Sequence, residues 1–151
     1  MRTPATSAGV GPHMSFRAKR PASLMPYLTD FIAFPIRVGK ESRAAEWLAM
    51  LVARQAECVA TLDREAMHFE SIFQIHIAGR LHLSWFAARS PAGASVDSSP
   101  LEVDQLHMEF WRECIDSSTT PLKFTHVINF VPPSIEEAIV ERERMLAQRA
   151  L

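Results

Sequence analysis

The sequence predicts an α+β fold of ferredoxin-like βαββαβ order, with a four-stranded antiparallel sheet and one more helix at the C-terminus. Three observations carry this. Segments rich in aromatic and β-branched residues alternate with segments whose apolar residues recur at three- and four-residue steps. The two middle strand-like segments meet at Ala78-Gly79, as a hairpin does. A last helical pattern opens after Pro132-Pro133.

YLTDFIAFPI (27–36) has strand composition and is closed by Pro35. A helix is expected from about Lys40 to Asp63. Its apolar positions, among them Ala44, Trp47, Leu51, Cys58 and Leu62, fall on one stripe, and Glu41, Arg43, Glu46, Arg54 and Glu57 take the outer side. Residues 66–77 and 80–89 form the hairpin. With Ala78-Gly79 as a two-residue turn, His76 lies opposite Leu81 and Ile75 opposite His82. Both faces of these strands carry apolar residues, as in a sheet covered on both sides.

SPAGASVDSS (90–99) is a loop by composition. Ser99-Pro100-Leu101-Glu102 reads as a helix start, with Ser99 as N-cap and Pro100 at the first helical position. That helix runs to Cys114 or Ile115. KFTHVINFV (123–131) is expected as the last strand. Ser134 with Glu137 reads as a capping box opening the final helix, which runs to about Arg149. Two helices on one sheet face leave the other face open. The leading expectation is a homodimer with the two sheets facing each other; the alternative is a monomer with the last helix or the tail folded over that face.

The 151 residues divide into a leader, 1–26, and one α+β domain, 27–151. The leader is rich in Pro, Ala, Ser and Arg, lacks acids, and is expected to be disordered. Residues 1–29 carry four basic and no acidic residues, leaving 12 basic and 17 acidic residues in the remainder. A mildly acidic body gives no electrostatic case for nucleic acid. No apolar run approaches the ~18–20 residues of a membrane span, and a cytoplasmic protein is expected. The two cysteines, Cys58 and Cys114, have no CxxC spacing and are expected to be reduced and inert.

HMEFWRECID (107–116) is the stretch richest in chemistry. On a helix, Val103, Leu106, His107, Phe110 and Cys114 share one stripe with Trp111 at its edge, so His107 faces the sheet. Two readings stand for it: a buried neutral histidine with a structural partner, or a ligand or acid–base group in a pocket between helix and sheet. His107 and Cys114 cannot share one metal ion, because seven residues set them ~10 Å apart along the axis, and no metal site is expected. Glu70 shares its strand face with Ile72, Leu83 and Trp85, where desolvation would raise its pKa. The catalytic candidates are therefore Glu70 and His107. The ligand-binding candidates are Trp85, His107, Phe110 and Trp111, around a small apolar molecule.

Phe-Pro-Ile-x-x-Gly-Lys (34–40), Glu46-Trp47-Leu48, Glu-Ser-Ile-Phe (70–73) and His107-x-Glu109-Phe110-Trp111-x-Glu113-Cys114-Ile115-Asp116 resemble a family of small, mainly bacterial proteins defined as a domain of unknown function. The resemblance spans roughly residues 30–140 and implies a ferredoxin-like fold without an activity. The element order is also similar to the dimeric α/β-barrel superfamily, which includes cofactor-independent and haem-degrading monooxygenases. By element, His107 and Trp85 match the haem-degrading members' helix ligand and strand tryptophan. That resemblance implies haem as a possible cofactor and an oxygenase-like enzyme as one alternative. An interaction module without ligand is the other.

Overall fold

The computed structural model describes residues 27–91 and 93–149; the leader, 1–26, lies outside them. In chain order the elements are β1 (Leu28–Pro35), α1 (Glu41–Ala53), α2 (Gln55–Thr61), β2 (Met67–Ile77), β3 (Arg80–Arg89), a 3-10 turn (Val96–Ser98), α3 (Glu102–Cys114), β4 (Leu122–Lys123) and α4 (Pro133–Arg149). The four strands form one antiparallel sheet in the order β2-β3-β1-β4. The fold is therefore α+β.

The hairpin has the expected register, with His76 opposite Leu81 and Ile75 opposite His82. Ala78 (φ 50) and Gly79 (φ 76) both occupy the left-handed region that a two-residue turn of this hand requires. Pairing places Ile32, Trp85 and Ile72 abreast, with Asp30, Ala87 and Glu70 in the next row on the same face. The register shifts at a bulge between Met67 and Phe69. His68 turns to α4, where Nε2–H donates to Glu143 Oε1 at 2.7 Å, while Glu70 stays on the helix-covered side.

Four further expectations are corrected. The helix expected over 40–63 breaks at Arg54 (φ −106, ψ 24), whose side chain bridges Glu57 of α2 and Glu102 of α3. Neither Gly nor Pro marks that break. α3 starts at Glu102 with Leu101 as N-cap, and Ser99 Oγ instead accepts from Leu101 N at 3.3 Å. α4 starts at Pro133, whose missing N–H costs nothing there, so Ser134 lies inside the first turn. The strand expected over 123–131 pairs only at Leu122–Lys123. Beyond it Phe124 N bonds Phe31 O and Asn129 Nδ2 donates to Thr29 Oγ1, leaving Val127 and Phe130 87% and 89% exposed.

The core between sheet and helices is built from Ile36, Ala44, Trp47, Leu83, Phe110, Cys114 and Ile115. The C-terminal end of α3 is fastened to the end of β1: Arg37 N donates to Cys114 O, and Asp116 N to Pro35 O. Arg80 ties Asp116 to the Ile36 carbonyl, and Lys40 and Arg43 both hold Glu113. The motif from Glu113 to Asp116 thereby fixes where α3 lies over the sheet. α4 crosses the other face at one end, with Ile139 packed on Tyr27 and Ala88.

Candidate functional site

A cleft of about 1080 Å³ lies between the sheet and the helices α1, α2 and α3. The sheet contributes Asp30, Ile32, Phe34, Glu70, Ile72 and Trp85; α3 contributes Asp104, His107 and Trp111. Strand alternation produces the first group, since even-numbered residues of β1 and β2 and odd-numbered residues of β3 point the same way. Helical spacing produces the second, since Asp104, His107 and Trp111 follow at steps of three and four.

His107 is the centre of the aromatic wall. Trp47 Nε1–H donates to its Nδ1 at 3.3 Å. Ring centroids of Trp47, Trp85 and Trp111 lie 5.2, 6.3 and 6.4 Å from the imidazole. These are all three tryptophans of the chain. Trp111 also packs edge-on against Phe34 at 4.7 Å. Burial pushes the His107 pKa down to about 4, against the pull of Asp104. The ring is therefore neutral at physiological pH. With Nδ1 accepting from Trp47, the proton sits on Nε2.

Glu70 behaves in the opposite sense. Burial, with a further push from Glu65, raises its pKa to about 7, while a hydrogen bond from Trp85 acts the other way. A carboxyl poised there gives or takes a proton at neutral pH. Glu65 is raised too, first by burial and then by Asp104, with Thr61 and Arg64 opposing. Burial raises the Cys58 thiol, also on the cleft wall, away from thiolate chemistry. Both cysteines are free.

Four of the five candidates from the sequence thus come together: Glu70, Trp85, His107 and Trp111. Phe110 does not join them. It stacks parallel to Trp47 at 6.2 Å inside the core, with the Arg43 guanidinium 4.1 Å over its ring. Sequence reasoning missed Asp104 and Glu65, and took Trp47 for packing alone. Asp104 had a usable signal, three residues before His107 on the same helix face.

A model of the Family of unknown function (DUF6176) matches residues 29–137. The chain belongs to this family. No curated protein matches the chain. The DUF6176 segment contains every cleft residue named above and ends inside α4, five residues into its 17. No helix among the described residues is long and apolar enough to cross a membrane.

Proposed function

We propose that this DUF6176 protein binds a small, largely apolar molecule in the cleft between the sheet and α3. His107 Nε2–H is the polar anchor, Trp85 and Trp111 are the walls, and Glu70 is the proton acceptor or donor beside the guest. The observation that carries this reading is the neutral imidazole held by Trp47 among three indoles, facing a cleft of about 1080 Å³. A packed core would fill such a volume, whereas ligand sites of ~300–1,000 Å³ combine apolar walls with a few placed polar groups.

The working unit we propose is a homodimer of the ferredoxin-like, dimeric α/β-barrel type. The strand order supports the assignment. So does the sheet face away from the cleft, where Phe31, Phe73, Phe86 and Phe124 form one aromatic cluster. Phe73, Ile75 and Phe124 remain about half exposed there, and a continuous apolar surface of this kind marks an interface. Haem is a poor fit to the cleft, because its propionates would meet carboxylates and no lysine or arginine lines the wall among the described residues.

The binding reading is tested with the neutral fluorescent probe prodan, an apolar naphthalene whose ketone oxygen accepts a hydrogen bond. Saturable binding with energy transfer from the tryptophans is expected, weakened about tenfold in His107→Ala. Absence of saturable binding, or equal affinity in the variant, would remove His107 as anchor.

A further inference from the structure

The charge of the cleft wall narrows the class of guest; this inference rests on the cleft being a small-molecule site. Five acidic residues line it, Asp30, Glu65, Glu70, Asp97 and Asp104, and no lysine or arginine does so among the described residues. Four of the acids are answered within the protein, Glu70 by Trp85 and Glu65 by Thr61. Arg89 Nε donates to Asp30 Oδ2 at 2.7 Å, and Ser95 Oγ to Asp97 Oδ2 at 3.4 Å. Asp104 is not: it is 5% exposed, and its Oδ2 is buried without a hydrogen-bond partner. Glu65 lies near enough to feel its charge. The cleft's one base, His107, is kept neutral and supplies no counter-charge.

A bare carboxylate oxygen in an apolar wall lacks a donor, and a guest entering the cleft is the group placed to supply it. The acids are spread rather than convergent, since no group of three or more His, Cys, Asp or Glu among the described residues could hold a metal ion. An ammonium group needs no such convergence. It carries its own donors, and the faces of Trp85 and Trp111 attract a cation as well as an apolar chain.

We propose that the cleft selects an organic cation, an amine on an apolar body, with the ammonium against Asp104 and Glu65 and the body along Trp85 and Trp111. The mildly acidic composition of the chain outside its first 29 residues acts in the same direction, attracting cations over anions to the surface.

The test compares three probes of one shape by calorimetry at neutral pH: 4-phenylbutylamine, 4-phenylbutanol and 4-phenylbutyrate. The amine is expected to bind about tenfold or more tightly than the alcohol, with the carboxylate weakest. Asp104→Asn is expected to abolish the preference of amine over alcohol; Glu65→Gln serves if that variant does not fold. Alcohol bound as tightly as amine in the wild type would overturn the cation preference and leave the small-molecule site standing. Carboxylate bound most tightly would do the same. No binding of any of the three would remove both.

Discussion

Trp47 is fully buried, yet its indole N–H reaches the one imidazole that faces the cleft. Trp47→Phe keeps most of the packing and removes that donor. The expected cost is about 1 kcal/mol in urea unfolding, together with loss of the fixed His107 tautomer. Glu70 and His107 make opposing contributions to the pH dependence of stability. Folded Glu70 keeps its proton to about 7 against a reference of 4.5, so the folded state binds more protons across that window, and stability falls as pH rises through it. Folded His107 refuses its proton down to about 4 against a reference of 6.5, so stability falls as pH drops through that window. Where the windows overlap the two slopes offset. Glu70→Gln removes one of them. That variant is expected to gain up to about 3 kcal/mol between pH 4 and 6.5 while the wild type stays nearly flat. Equal profiles in denaturant unfolding at several pH values would contradict the assignment. At the hairpin, Ala78 pays for a left-handed backbone that glycine or asparagine tolerates. Ala78→Gly is expected to raise stability by about 0.5–1 kcal/mol, read as a higher Tm.

At the scale of elements, the cleft's rim depends on how closely the loop after β3 approaches the turn after α2. A Cβ built on Gly93 would sit 1.8 Å from the Glu65 carbonyl oxygen, which is backbone and cannot yield cheaply. Gly93→Ala is expected to cost about 1–3 kcal/mol and to weaken probe binding by displacing Glu65. A variant with unchanged Tm and affinity would show that this approach is not needed. The hairpin and its register were legible in the sequence, because one two-residue turn between two strand-like runs leaves few alternatives. The inward direction of His107 and the company of Glu70 followed from periodicity alone. What escaped depends on tertiary contacts that leave no local mark. The break at Arg54 is set by its two carboxylate partners rather than by Gly or Pro, and the bulge at His68 accompanies its contacts with Tyr27 and Glu143. KFTHVINFV has strand composition, but only its first residue lies in the β4 ladder. Phe110 shares a stripe with His107 yet lies one turn further along α3, where Trp47 and Arg43 enclose it. Phe110→Ala is expected to cost about 3–5 kcal/mol without selectively changing the cleft.

At the scale of the molecule, the sheet separates two chemistries. One face holds the cleft with its indoles and acids; the other presents aromatics whose exposure is costly for a lone chain in water. Light scattering after size exclusion is expected to give a dimer at micromolar concentration, and Phe73→Asp is expected to shift it to monomer; a wild-type monomer would contradict the sheet-to-sheet arrangement. The cleft lies on the sheet face opposite that aromatic surface. Its central feature is the state of a single ring. The most direct measurement is a long-range 1H–15N NMR spectrum of the His107 imidazole, assigned by comparison with His107→Asn and recorded from pH 8 to 3 with and without prodan. A neutral ring protonated on Nε2 down to about pH 4, shifting saturably with the probe, is the predicted result. A ring that titrates near 6.5 or carries its proton on Nδ1, or one unmoved by the probe, would contradict it.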